Sequence, residues 1–353
     1  MSAVATNDPT DFAPGGDLSD LTTTAPVPGP GHVPSRRYAF VGLGAIGGYY
    51  GARLQAAGHA VHFLARSDAD HVRRHGLRVD SPYGDLHLAD VSVATAPEEL
   101  PPVDVVVLAV KTGDTDQVVK LIGPLVGEET VVVVLQNGLG VEGPVAEALP
   151  QATVLGGMCF ICSNKVGPGH IRHLDFGAVT IGEHRDGPGG AGVTSAVDAI
   201  ASDLEGAGLP VSRIEDLVAG RWRKLVWNIP YNGLSVALDA GTDELMADPA
   251  TRTIVTELMA EVLDAAAACG HRIEADFIPY MLRTTDKMTP YKTSMKLDFE
   301  HGRPLEIDAI YGAPVSAARA AGFDMVRTQL LFAQLQFLDA RNRGVDLDRT
   351  PRH

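Results

Sequence analysis

Lys224, Asn228 and Asn232 recur four residues apart in the segment Gly220-Arg-Trp-Arg-Lys-Leu-Val-Trp-Asn-Ile-Pro-Tyr-Asn232, so on a helix they line one face. Trp222, Leu225, Val226 and Ile229 supply apolar neighbours. A lysine in such surroundings is a candidate proton donor, because desolvation lowers the pKa of an ammonium. Asparagine amides beside it can orient a carboxylate or hydroxyl without adding a second titrating group. A solvated polar stripe on an amphipathic helix has the same spacing. Pro230 removes an N–H that would reach the Val226 carbonyl, and it is expected to kink the column. A second polar group runs through Lys292-Thr-Ser-Met295, Asp298 and Gly302-Arg-Pro-Leu-Glu306. Pro304 suits the first turn of a helix, which places Glu306 near an N-terminus where a carboxylate is stabilised. Ser294 suits a helix cap as well as a ligand contact. Spacing alone pairs neither residue with Lys224.

Phosphate chemistry is suggested elsewhere. Gly42-Leu43-Gly44-Ala45-Ile46-Gly47 lies between a predicted strand and a predicted helix. The first glycine allows the tight turn, the second lets a diphosphate approach the backbone, and the third lets helix pack on strand. The diphosphate then meets free N–H groups at a helix N-terminus. An acidic residue at the end of the second strand would indicate NAD, but that strand ends Leu64-Ala65-Arg66-Ser67, with Arg66 placed 24 residues after Gly42. A guanidinium there fits a 2′-phosphate, so NADP(H) is favoured over NAD; an ordinary exposed arginine is the plain alternative. Asp68 and Asp70 follow in the connection. Lys111 and Gln136-Asn137-Gly138 terminate two further apolar strands, where an α/β sheet opens its ligand crevice. Each also has a bland reading, as a solvated lysine and as turn chemistry.

These residues need elements to position them. Strand patterns at 36–41, 60–65, 103–110 and 130–135 alternate with helical patterns up to residue 57 and at 116–126, the signature of a parallel sheet covered on both faces. Further strands are expected at 152–158, 169–174 and 178–182. Beyond residue 212 the pattern becomes helical, at 217–238, 249–269, 303–321 and 328–342. The expected fold is therefore α/β, an N-terminal Rossmann-type doubly wound sheet (36–212) plus an all-helical C-terminal domain (213–345). Residues 1–35 hold four Asp, six Pro and no Lys or Arg, which reads as a disordered acidic tail; 346–353 is a short C-terminal tail.

The chain has 353 residues and a formal net charge of −15. Such a balance argues against nucleic acid or an anionic membrane as partner, and no apolar run reaches the ~20 residues that span a bilayer. Three cysteines cannot build a disulfide framework, which points to the cytoplasm. Cys159-Phe-Ile-Cys162 with His170 and His173 departs from zinc-ligand spacing, so no metal is expected, and the two thiols read as buried strand residues. The helical half offers apolar faces for a homodimer.

Taken together, 42–47, Arg66, Val110-Lys111, Gln136-Asn137-Gly138, Arg223-Lys-Leu-x-x-Asn228, Asn232 and Thr293-Ser-Met through Glu306-Ile-Asp308 resemble the ketopantoate reductase family, in order and spacing, from about residue 37 to 343. The resemblance implies NADPH-dependent reduction of a 2-oxo acid, 2-dehydropantoate first, for pantothenate and coenzyme A biosynthesis. It implies Lys224 as proton donor, and Glu306 as the acid that organises cofactor and lysine. It further implies Asn137, Asn228, Asn232 and Ser294 as substrate contacts. Gly42, Leu43, Gly44, Ala45, Ile46, Gly47, Arg66, Lys111, Asn137 and Glu306 would contact the cofactor. Thr242, Leu297 and Leu305 replace residues that are often polar in the family, which leaves another branched or aromatic 2-oxo acid as an alternative substrate. A non-catalytic NADP sensor would keep the glycine turn and Arg66 but has no need of Lys224, Asn228 and Glu306 together.

Overall fold

The computed structural model describes residues 35–113, 115–187 and 189–345. The terminal segments expected to be tails lie outside these, apart from Ser35. Its contacts divide the chain into two units. One runs through Gln136 and resumes at Val141–Gly220; the other is Asn137–Gly140 together with the chain from Arg221 onward. The division falls inside a continuous helix, Leu217–Ala237, so no linker composition marks it in the sequence.

In the first unit, short strands largely buried on both faces form the centre of the sheet. They are the aromatic-containing runs β1 (Arg37–Val41) and β2 (Ala60–Leu64) and the valine runs β6 (Val105–Leu108) and β7 (Val131–Val134). With β3 (Leu77–Asp80), β4 (Leu86–Leu88), β5 (Ser92–Ala94), β8 (Thr153–Gly167) and β9 (His170–Glu183) they give the order β4-β3-β9-β8-β7-β6-β1-β2-β5, and β10 (Val211–Arg213) pairs with β9. Alternation along β1 sends Tyr38 and Phe40 into one apolar layer and Ala39 and Val41 into the other. The first layer also holds Tyr49 and Tyr50 of α1 (Ala45–Ala56) and Val197, Ile200 and Leu204 of α5 (Ser195–Gly206). Helices α2 (Ala69–His75), α3 (Thr115–Ile122) and α4 (Gly143–Ala148) complete the unit. Asp203, fully buried, accepts the Tyr38 hydroxyl at 2.5 Å and both carboxylate bonds of Arg36.

The sheet is mixed rather than wholly parallel. β3–β4 and β8–β9 are antiparallel, and the three separate strands expected over 152–182 are one long hairpin. Register shifts at Phe160/Ile161 and Cys162/Ser163, and Phe176 at φ 61°, interrupt its alternation and make it read as pieces. His173 lies in this hairpin, 2% exposed, between Ser81 Oγ (2.8 Å from Nδ1) and the Asp175 carbonyl (3.0 Å from Nε2). The carbonyl only accepts, so Nε2 bears the proton of a neutral ring. Burial pushes its pKa down to about 4. The unfolded chain therefore binds the extra proton first, and the stability that neutral burial provides, about 3 kcal/mol, is lost as pH falls from the unfolded value toward 4. We expect Tm to fall across that window in the wild type and to fall less steeply in His173→Gln, measured by thermal melts.

The second unit is helical. The helix α6 (Leu217–Ala237) buries Trp222, Leu225, Val226 and Ile229. It is followed by α7 (Thr242–Ala247), α8 (Pro249–Ala268), α9 (Phe277–Lys287) and α10 (Ser294–Glu300), then α11 (Ala313–Ala320) and α12 (Val326–Asn342). Asp248 caps α8 by accepting from the amides of Ala250 and Thr251. Buried Glu261 of α8 accepts Thr328 N–H at 2.8 Å and its hydroxyl at 2.7 Å, fixing the start of α12. The expected helix 303–321 begins late: residues 303–306 are outside any helix or strand, and a π-helical turn, Asp308–Gly312, precedes α11. The Leu305 amide is occupied by the buried Asp339 carboxylate at 3.1 Å, which keeps Pro304 out of the helix. Among the described residues, no helix is long and apolar enough to cross a membrane.

Candidate active site

In the first unit the glycine turn joins β1 to α1 as expected. Gly42 N–H bonds the Leu64 carbonyl at 3.0 Å, which ties the turn to the end of β2. A Cβ on Gly47 would lie 2.1 Å from the Gly42 carbonyl oxygen, so only glycine allows α1 to start this close to β1. Gly44, the N-cap, has no side chain to bond the first amides of α1, and a Cβ there would meet nothing within 4 Å. That open backbone beside a helix N-terminus fits a dinucleotide diphosphate. The chain goes from β1 to β2 on one side and to β6 on the other, so the turn sits at the topological switch point of the sheet. Arg66 and Lys111 follow β2 and β6, and both side chains are exposed. The Lys111 carbonyl accepts from the Gln136 amide at 3.1 Å.

Asp68, the acid that could have bound ribose hydroxyls, faces away from that role. It is 4% exposed, accepts Gly169 N–H at 3.0 Å, and pairs with Lys165 at 2.6 Å. Burial alone would raise its pKa, but the bonds from Lys165 and Gly169 hold it below the usual carboxylate value, so it stays ionised and committed.

In the second unit the polar column forms as the spacing predicts. Lys224, Asn228 and Asn232 are 7%, 6% and 3% exposed, so they are not a solvated stripe. Lys224 Nζ donates to Asn137 Oδ1 at 2.7 Å, and Asn137 Nδ2 reaches Glu306 Oε2 at 3.5 Å. Three residues far apart in sequence thus form a chain of ammonium, amide and carboxylate. Glu306 sits one residue before the helical turns rather than inside them, and its carbonyl accepts Ile310 N–H at 3.2 Å.

Ser294 is the first residue of α10, and the cap is Thr293, whose hydroxyl accepts Lys296 N–H at 3.1 Å. Ser294, which suits a cap by residue type, is displaced from that place by its neighbour Thr293. Thr293 also meets the Ser235 hydroxyl at 2.8 Å, so the turn bearing Ser294 is pinned to α6 one turn beyond Asn232. Neither Ser235 nor Thr293 has a chemical signal in the sequence beyond being a small hydroxyl residue. Thr242 turns its hydroxyl to the Tyr291 carbonyl at 3.2 Å and holds the chain that leads into Thr293.

The thiol pair stands apart from all of this. Cys159 and Cys162 are buried, and burial pushes the Cys162 thiol up to about 12. Among the described residues, no cluster of three His, Cys, Asp or Glu side chains could hold a metal ion.

Comparison with known proteins gives a consistent result. The profile of the family described as "Ketopantoate reductase PanE/ApbA" matches residues 38–186, and its C-terminal counterpart matches residues 216–339. A 2-dehydropantoate 2-reductase from Nostoc sp. is 51% identical over 308 residues, covering 87% of this chain and 97% of that protein. The crystal structure of a 2-dehydropantoate 2-reductase from Geobacter metallireducens superposes with a TM-score of 0.81 at 39% identity, over 85% of this chain and 99% of that one. A second such structure, from Methylococcus capsulatus, has a TM-score of 0.78 at 33% identity, over 87% of this chain and 97% of that one.

Proposed function

The chain belongs to the ketopantoate reductase family of pyridine-nucleotide-dependent oxidoreductases, and on that premise we propose that it is an NADPH-dependent 2-dehydropantoate 2-reductase acting in the cytoplasm. Its product, pantoate, would serve pantothenate and coenzyme A biosynthesis. The observation that carries this reading is the Lys224–Asn137–Glu306 chain, in which the two charged members are buried and the amide between them is half-buried.

The first unit would hold the nucleotide: the diphosphate at residues 42–47, the 2′-phosphate at Arg66, with Lys111 as a further cation. Bound NADPH supplies a hydride to the carbonyl carbon of the substrate. As that carbon accepts the electron pair, the carbonyl oxygen gains negative charge, and the Lys224 ammonium stabilises it and gives up a proton to it. Lys224 is held for this by Asn137 Oδ1, an acceptor that cannot itself take the proton. Glu306 fixes the amide of Asn137 so that its oxygen faces the lysine. Asn228, Asn232 and Ser294 would bind the substrate carboxylate and hydroxyl with neutral donors. Atoms and charge balance as 2-oxo acid plus NADPH plus a proton giving 2-hydroxy acid plus NADP⁺.

One alternative within the family is a bulkier 2-oxo acid, which apolar Leu297 and Leu305 favour. NADPH consumption measured with 2-dehydropantoate, with longer branched and with aromatic 2-oxo acids decides the matter. The highest kcat/KM is expected for 2-dehydropantoate. A larger acid in first place moves the substrate within the family. Tight NADPH binding with no turnover of any 2-oxo acid makes the chain a sensor.

A further inference from the structure

The residues of the proposed reaction sit on three separate pieces of the second unit: α6, the Asn137–Gly140 loop, and the irregular stretch that ends in Glu306. All three are bonded to consecutive residues of the π-helical turn Asp308–Gly312. The Ala309 carbonyl accepts Leu139 N–H at 3.0 Å, two residues from Asn137. Ile310 N–H donates to the Glu306 carbonyl at 3.2 Å. The Tyr311 hydroxyl donates to the Ile229 carbonyl at 2.9 Å, on the turn of α6 between Asn228 and Asn232.

That last contact falls where α6 is weakest. Pro230 cannot donate to the Val226 carbonyl, so the helix has lost a bond between the halves that carry Lys224 and Asn232. Tyr311 is fully buried, and burial pushes its hydroxyl well above the ordinary tyrosine pKa, so it is protonated and donates. A Cβ on Gly233 would lie 2.7 Å from this hydroxyl, so glycine at that position gives the phenol its access to the helix backbone. A π turn has poorer hydrogen-bond geometry than an α turn and is commonly kept at functional sites. Here it presents three neighbouring residues to three different segments.

We infer that Tyr311, through its bond to the Ile229 carbonyl beside Pro230, is a positioning residue that holds the Lys224–Asn228–Asn232 column in register with Asn137 and Glu306. The inference rests on the reading of Lys224 as proton donor. Its test compares Tyr311→Phe with Tyr231→Phe. The second variant deletes another buried hydroxyl from the same region, one that donates to Met246 Sδ at 2.9 Å, on α7.

In Tyr311→Phe, kcat for the 2-oxo acid should fall about tenfold, the scale of a small misplacement of a reacting group, with KM changed far less. NADPH affinity, read by fluorescence titration, should stay within about twofold of wild type, because the glycine turn and Arg66 belong to the other unit. Tyr231→Phe should keep wild-type kcat at a comparable Tm. Amide hydrogen exchange at Asn232, Gly233 and Leu234 should quicken in Tyr311→Phe and not in Tyr231→Phe. A kcat loss equal in both variants, or unchanged exchange in Tyr311→Phe, overturns the positioning role. If the wild type turns over no 2-oxo acid, the proposed reaction fails, and the exchange comparison alone still decides whether Tyr311 fixes α6.

Discussion

Lys224→Met is expected to lower kcat for 2-oxo acid reduction by about a thousandfold or more, because on the proposed mechanism it removes both the proton donor and the charge that stabilises the developing alkoxide. Methionine keeps the length of the stem, so packing around Trp222, Leu225 and Asn228 is largely preserved. Stability changes in two opposing ways. Removing the ammonium of a lysine that is 7% exposed relieves a desolvation cost, while Asn137 Oδ1 loses its charged donor at 2.7 Å, worth about 2 kcal/mol. Tm should therefore move by only a few degrees, and the loss of rate cannot be ascribed to unfolding. NADPH binding should be unchanged, since the nucleotide contacts proposed in the first unit remain. Glu306→Gln keeps the shape and a bond to Asn137 but frees the amide to flip, so its kcat should fall by less than that of Lys224→Met. Single-turnover measurements with saturating NADPH check both. A Lys224→Met enzyme within about tenfold of wild type would remove lysine from the proton-donor role.

What the sequence revealed of this site, and what it hid, follows from the range of each interaction. The glycine turn, the valine strands and the four-residue repeat of Lys224, Asn228 and Asn232 are local patterns, and each forms where its spacing places it. The contacts that convert them into a site are not local: Asn137 meets Lys224 across 87 residues and Glu306 across 169. Only the family resemblance grouped these residues beforehand. The short helices α7, α9 and α10 escaped notice because Thr242, Pro279, Thr284, Thr285 and Thr293 weaken a helical pattern that tertiary packing then overrides. Glu306 was placed at a helix start correctly in kind but inside the wrong turn, since nothing in Arg303-Pro-Leu-Glu306 signals that the Leu305 amide would be taken by Asp339. The π turn has no sequence signature at all, and with it the role of Tyr311 was invisible.

Arg66→Ala should raise KM for NADPH by roughly 30- to 100-fold at low salt while leaving KM for NADH within about twofold, because on the proposed reading the 2′-phosphate would lose a charge-assisted partner that NADH does not use. The case rests on two facts at the end of β2. Arg66 is exposed, so it pays little desolvation in the free enzyme and can meet a dianion directly. Asp68, the buried acid two residues on, is held by Gly169 N–H and Lys165 and cannot turn to accept ribose hydroxyls. Removing the guanidinium therefore makes the enzyme indifferent to the 2′-phosphate without making it an NAD enzyme. Exposure also sets a signature that a packing defect would lack. The NADPH preference of the wild type should decline as ionic strength rises, since screening weakens an exposed ion pair, and Arg66→Ala should have lost most of that salt dependence. Parallel KM titrations of NADPH and NADH at low and high salt provide the measurement. An unchanged NADPH/NADH ratio in Arg66→Ala would refute the 2′-phosphate contact. A ratio that collapses but retains the full salt dependence would assign the phosphate to another cation, with Lys111, which follows β6 on the other side of β1, the first to be replaced.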